Sequence, residues 1–285
     1  MNPVLPGPLG ANLADGGVRF RIWAPGHEKV SAIVYREGME IVHPLEPEGH
    51  GYFSAVAKGA AAGTRYCFRL DGDKVYPDPA SRYQPEGIHG ASEVVDPSAF
   101  QWSDDAWTGA TLPEMVIYEA HVGTATPAGT FDALIERLDD LVWLGITALE
   151  LMPVANFPGE RNWGYDGVNL FAPATTYGGP EGLRRLVDAA HSRGLAVILD
   201  VVYNHLGPEG NYLPIITSGH FFTDRHHTPW GDAVNFDGPE SRHVREFVIQ
   251  NALSWIREFH LDGLRLDATH AIADDSPMHL SLIHI

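Results

Sequence analysis

Arg265 and Asp267 stand two residues apart in Gly263-Leu264-Arg265-Leu266-Asp267-Ala268. In an extended chain that spacing puts both on one face, with Leu264 and Leu266 on the other. A guanidinium beside a carboxylate favours its ionised form, as a nucleophile attacking a sugar carbon requires. A structural ion pair would use the same spacing, and the residue types leave both readings open. Upstream, Asp200-Val201-Val202-Tyr203-Asn204-His205 delivers an acid, an amide and an imidazole to the end of another apolar run. These groups suit sugar hydroxyls, although Asn204-His205 fits a turn with a satisfied core histidine equally well. A third stretch, Arg161-Asn162-Trp163-Gly164-Tyr165-Asp166-Gly167, offers aromatic faces that match a pyranose ring or, alternatively, pin a long loop by burial. Convergence of Asp200, His205, Arg265, Asp267 and His270 at the ends of two neighbouring strands is harder to account for as packing and points to a site.

The elements that must hold these residues follow from hydrophobic periodicity. From Gly17 to about Asp96 short alternating runs broken by Gly and Pro (18–23, 30–35, 64–70) predict an antiparallel β-sandwich. A segment rich in Asp, Pro and Gly, 71–97, reads as extended packing and linker. From Glu114 the rhythm changes to strand then helix. Strands are expected at 115–121, 148–153, 196–202 and 263–268. A helix is expected over 130–144, with Phe131, Leu134, Ile135, Leu138, Leu141 and Val142 buried and Gly145 as its C-cap. Two more are expected, from about 181 to Gly194 and over 241–260, the latter burying Val244, Phe247, Val248, Trp255, Ile256 and Phe259. Repeated βα units with long loops after the strands suit a (β/α)8 barrel, whose active site lies at the C-terminal ends of its strands. An open doubly wound sheet remains a rival, but no G-x-G-x-x-G turn follows a strand. The expected fold is therefore multidomain. An immunoglobulin-like sandwich with its linker occupies 1–110, and 111–285 forms an incomplete (β/α)8 TIM barrel of four βα units. Asp274-Asp275-Ser276-Pro277 resembles the start of a further helix that the following residues do not continue, so the chain reads as truncated.

Composition narrows the function. The 285 residues are 44% hydrophobic and 20% charged, ordinary for a soluble chain, and no apolar run is long enough to span a bilayer. A net charge of -18 argues against a nucleic-acid partner, which needs clustered Lys and Arg. The N-terminus has no secretory signal and Cys67 is the lone cysteine, so a cytoplasmic location is expected. Neither H-E-x-x-H nor C-x-x-C occurs, no cofactor is expected, and His226-His227 reads as loop rather than metal ligand.

The stretches 200–205 and 263–270, in this order and separation, resemble the first and second sequence signatures of the α-amylase superfamily of glycoside hydrolases. Phe20-Arg21-Ile22-Trp23-Ala24-Pro25 is similar to the starch-binding-type sandwich that precedes the barrel in its branching, debranching and trehalose-forming members. Glu119-Ala120-His121-Val122-Gly123-Thr124, residues 157–167 and residues 228–236 look most like the trehalohydrolases of that group. The resemblance implies retaining hydrolysis of the α-1,4 bond beside a terminal trehalose, with maltooligosyltrehalose or a related α-glucan as the partner molecule. It implies Asp267 as nucleophile, Arg265 holding that carboxylate ionised, and His205 and His270 on sugar hydroxyls. Tyr165 would stack beneath the sugar and Asp200 orient the cluster, with Trp163, Asp166 and Asn204 completing the binding surface. Asn204 stands where some relatives ligate calcium, but no oxygen cage accompanies it and no metal is expected. Branching or debranching of glycogen, and simple glucan binding by the sandwich, are the rival functions. Retaining hydrolysis needs a second carboxyl about 5–5.5 Å from the first. The resemblance implies that this glutamate lies on a later strand, so the chain alone is expected to be inactive.

Overall fold

A computed structural model of the chain describes residues 7–280. Its first part is a sandwich of short strands: β1 (Gly10–Ala14), β2 (Gly17–Trp23), β3 (Val30–Arg36), β4 (Met39–Pro44), β5 (Glu46–Gly49), β6 (Tyr52–Lys58), β7 (Arg65–Leu70), β8 (Val75–Tyr76) and β9 (Ser92–Glu93). One sheet runs β1-β2-β6-β5 and the other β4-β3-β7-β8, with β9 also on β7. Alternation decides the inner faces: Val18, Phe20 and Ile22 of β2 meet Ala32 and Val34 of β3 and Tyr66, Phe68 and Leu70 of β7 in one core.

The second part is built on β10 (Ile117–Ala120), β11 (Ala148–Leu151), β14 (Ala196–Val201) and β17 (Gly263–Leu266), all parallel and paired in that order. Between them come α1 (Val122–Ala125), α2 (Phe131–Ile135), α3 (Leu138–Trp143), the β12 (Ala155–Asn156) and β13 (Asn169–Pro173) ribbon, and α4 (Gly179–His191). After β14 follow α5 (Leu213–Ile216), a hairpin of β15 (Phe222–Thr228) and β16 (Gly231–Val234), and α6 (Ser241–Phe259). Leu149, Leu151, Val197, Leu199 and Val201 point from the sheet into the helices. There they meet Phe131, Leu134, Leu183, Leu186, Val244, Phe247 and Trp255. On the opposite face Ala148, Ala196 and Ile198 are buried under Trp107, Ala110 and Met115 of the connecting segment.

Several expectations are corrected. The helix at 130–144 is two short ones, because the chain turns tightly at Glu136-Arg137, where Arg137 N–H donates to Leu134 O. That rotation leaves Val142 exposed, and Ile256, at the edge of the apolar stripe of α6, is also exposed. His226 and His227 lie in strand β15 rather than a loop. Among the described residues the Asp274 segment forms no helix. Its carboxylate instead accepts hydrogen bonds from Arg245, from Leu280 N and from Ser276 N, and 281–285 lie outside the described residues. No helix among the described residues is long and apolar enough to cross a membrane.

Candidate active site

The parallel register brings the site together. Asp200 of β14 stands beside Arg265 of β17 in the ladder, and Asp267 follows two residues on, so the three share one face and rise toward the C-terminal ends of the strands. Nη1 of Arg265 donates to Asp200 Oδ2 at 2.6 Å and to Asp267 Oδ1 at 2.7 Å. The two carboxylates hold the guanidinium well above its ordinary range, Asp200 contributing most. Asp200 is fully buried, and burial pushes its carboxyl up despite the opposing pull of Arg265 and Tyr165. Arg265 holds Asp267 by Oδ1, and among the described residues Asp267 Oδ2 accepts no hydrogen bond. The chain leaves β17 through Ala268, which adopts a left-handed φ of 42° uncommon for a residue with a Cβ.

The loop after β11 is fastened to the same place. Tyr165 O–H donates to Asp200 Oδ2 at 3.0 Å, and Nε2 of His205 donates to the Tyr165 carbonyl at 2.9 Å. Burial and the adjacent Asp200 raise the Tyr165 phenol, so it stays protonated and donates. Burial lowers the His205 imidazole, which therefore stays neutral with Nε2–H as its donor and Nδ1 buried and unpartnered among the described residues. From the other side His121 Nε2 and Tyr177 O–H both donate to the Asn162 carbonyl, at 2.7 and 3.1 Å. Two glycines are obligatory: Gly164, with φ of 100°, lies against the Pro153 carbonyl, and Gly207 against that of Asp166, and a Cβ at either would overlap the oxygen.

Not every expected residue converges. Trp163 is 74% exposed, Asp166 accepts from the Asn162 amide at the surface, and His270 is exposed on the turn after Asp267. Asn204 is buried, its amide unpartnered among the described residues. Two features escaped the sequence. Trp230, on the β15–β16 hairpin, lies parallel to His205 with ring centroids 4.4 Å apart and borders an open groove of about 980 Å³ beside Asp166 and His205. Residues 228–236 entered only through the family resemblance, and nothing in that stretch marked Trp230 as a site residue. Glu119 and Glu150 face the same side as Asp200, one step earlier along their strands, and each of the three places a carboxylate oxygen within 4.8 Å of the others. Burial, Glu119 and Asp200 push the Glu150 carboxyl above its usual range, with Arg265 opposing. That trio and His226, Asp237 and Asp275 are groups with metal-ligand spacing. In both, an arginine already supplies cationic charge, Arg265 at Asp200 and Arg225 at Asp237.

Comparison with known proteins gives these contacts a context. The model of the α-amylase catalytic domain matches residues 75–233, and that of carbohydrate-binding module 48, the isoamylase N-terminal domain, matches 8–99. The malto-oligosyltrehalose trehalohydrolase of Saccharolobus solfataricus is 49% identical over 95% of the chain and 47% of its own length. The 1,4-alpha-glucan branching enzyme of Corynebacterium jeikeium is more distant, 36% identical over 91% of the chain and 39% of its own length. A crystal structure of a putative alpha amylase from Salmonella typhimurium superposes with a TM-score of 0.89 at 45% identity, over 95% of the chain and 45% of that structure. The chain thus spans about half the length of the curated relatives it matches.

Proposed function

The chain belongs to the α-amylase family, whose catalytic-domain model matches more than half of it, and on that premise we propose that it is part of a retaining hydrolase that releases trehalose from maltooligosyltrehalose. The four parallel strands are read as consecutive strands of a (β/α)8 barrel, with the sandwich and its linker reaching to about residue 110. The carrying observation is the double hydrogen bond of Arg265, which fixes Asp267 beside Asp200, with Tyr165 and His205 alongside. In this reading Asp267 attacks the anomeric carbon as the glycosidic oxygen leaves protonated, and water then hydrolyses the glycosyl ester. The proton donor is assigned to no described residue. Asp200 and Arg265 set the nucleophile, Tyr165 lies beneath the sugar, and His205, Asn204 and His270 meet its hydroxyls. Trp163, Trp230 and Asp166 would border the rest of the glucan. Trehalohydrolase is favoured over branching because the relatives so named are 41–49% identical, against 36%. A binding module alone is disfavoured because the sandwich aromatics Phe20, Trp23, Tyr52, Tyr66 and Phe68 are buried. The buried free thiol of Cys67 suits a reducing cytoplasm.

The test is an assay of the polypeptide at the length of its relatives on maltooligosyltrehalose, amylose and a branched glucan. Trehalose release that disappears with Asp267→Ala is expected. New branch points, debranching without trehalose, or full activity in that variant would overturn the reading.

A further inference from the structure

At the opposite end of the sheet from Asp267, the last residue of α4 makes a contact that the proposed hydrolysis does not use. His191 is almost fully buried. Its Nδ1 lies 3.0 Å from Asp104 Oδ2 and its Nε2 3.0 Å from Asp262 Oδ2. A neutral imidazole carries one N–H, so one of these contacts would set a lone pair against a carboxylate. Both oxygens of Asp262 are already occupied, and so is the Asp104 oxygen that faces His191. Asp262 Oδ1 accepts from Trp107 Nε1 at 2.7 Å and its Oδ2 from Val197 N at 2.7 Å. Asp104 Oδ2 also accepts from His260 Nδ1 at 2.8 Å, and the two histidines hold its carboxyl below the usual range although burial opposes them. We propose that His191 is held as the imidazolium between Asp104 and Asp262, a pH-dependent latch that fastens residues 102–110 across the N-terminal end of the parallel sheet.

The surroundings favour the cation. Trp107 lies over the His191 ring, centroids 4.9 Å apart and 15° from parallel, and the C-terminal end of α4 favours positive charge. The charged groups around it are Asp104 from the connecting segment, Asp262 and His260 from the α6–β17 connection, and Asp188 one turn earlier on α4. Asp188 accepts from Ser103 N and Oγ. Trp102 stacks on His260 with centroids 3.8 Å apart. The segment so held is the one whose Trp107 and Ala110 cover Ala148, Ala196 and Ile198 on the inner face of the sheet. Losing the proton would leave two buried carboxylates without their shared cation and loosen that cover.

Burial alone would lower the His191 value, but Asp262 and Asp104 outweigh it and the net direction is up. A histidine raised in the folded state contributes stability that is full below its unfolded value of about 6.5 and is lost as pH rises through the raised value. The experiment is a titration of the ¹⁵N-labelled chain from about pH 6 to about pH 9, following the ring nitrogens of His191 and amide exchange across 102–110. Two protonated ring nitrogens at about pH 7 are expected, with exchange in 102–110 accelerating as His191 titrates. Asp104→Asn is expected to move that titration to lower pH, and His191→Gln to make the exchange independent of it. A single neutral tautomer at about pH 7, or exchange indifferent to the titration, would overturn the proposal. If His191→Gln does not fold, the unmodified chain and Asp104→Asn decide between these outcomes.

Discussion

Asp200 and Arg265 are neighbours in the parallel ladder of β14 and β17, and their side chains meet at 2.6 Å with the carboxylate wholly buried. Arg265→Gln would leave that acid with Tyr165 alone, and its folded pKa, already raised by burial, would rise further. A carboxyl raised in the folded state binds protons there that the unfolded chain has released, so its cost grows as pH rises through the window. Arg265→Gln is therefore expected to be nearly neutral at about pH 4 and to cost roughly 1–3 kcal/mol near neutrality. Thermal unfolding of both proteins across that range checks it, and a pH-independent difference would count against the assignment.

The aromatic loop depends on Gly164 at φ of 100° against the Pro153 carbonyl. Gly164→Ala forces either the strained conformation with an overlap or a displaced loop, costing about 1–3 kcal/mol. On the proposed reading, displacing Tyr165 from Asp200 should also weaken maltotetraose binding by the polypeptide at the length of its relatives by about tenfold, some 1.4 kcal/mol. Calorimetric titration of the variant checks this, and unchanged affinity would show that Tyr165 is not part of the binding surface.

How much of this was legible follows from what each residue's neighbours are. The shared face of Arg265 and Asp267 needs only the period-two rule, and Gly145 and Gly194 marked helix ends that the left-handed turns at both positions place there. The contact of Arg265 with Asp200 depends on register between strands 65 residues apart in sequence, which Asp262 fixes by bonding Val197 through both backbone and side chain. No pattern within either strand reports that. The β15 strand was missed because Thr223-Asp224-Arg225-His226-His227 has no apolar alternation. Backbone pairing with β16 and the His226–Asp237 contact at 2.8 Å hold it instead. Glu150 sits within the expected strand Ala148-Leu149-Glu150-Leu151, and only the pairing with β14 shows that it shares the face of Asp200.

Trp230 shields His205 by lying flat upon it while remaining 51% exposed to the groove. Trp230→Ala hydrates the imidazole, so the pKa that burial lowers should move back toward that of an ordinary histidine. On the proposed reading, affinity for maltooligosaccharides should fall about tenfold, within the range of a lost stacking contact, with little change in melting temperature. A ring titration by NMR alongside binding measurements separates the two effects, and an unmoved His205 would argue that the stack does not control its protonation.

His243 of α6 ties the two parts of the molecule together, its Nδ1 3.0 Å from the Tyr52 hydroxyl and its ring 5.3 Å from that of Trp23. Burial pushes this histidine down, Glu240 only partly offsetting it, and pushes the Tyr52 phenol up, so Tyr52 donates and a neutral imidazole accepts. A histidine lowered in the folded state binds fewer protons there than in the unfolded chain, so its contribution is lost as pH falls below about 6.5. This slope is opposite to that of His191. His243→Gln keeps a hydrogen-bonding group beside Tyr52 but cannot titrate. It should cost roughly 1–2 kcal/mol at about pH 7 through lost packing, and much of that difference should vanish by about pH 5, where the original protein must charge a buried ring. Melting curves of the two proteins, compared at each pH so that shared carboxylate effects cancel, measure it. Parallel curves would mean that His243 is solvated and that the contact between sandwich and sheet does not depend on its neutrality.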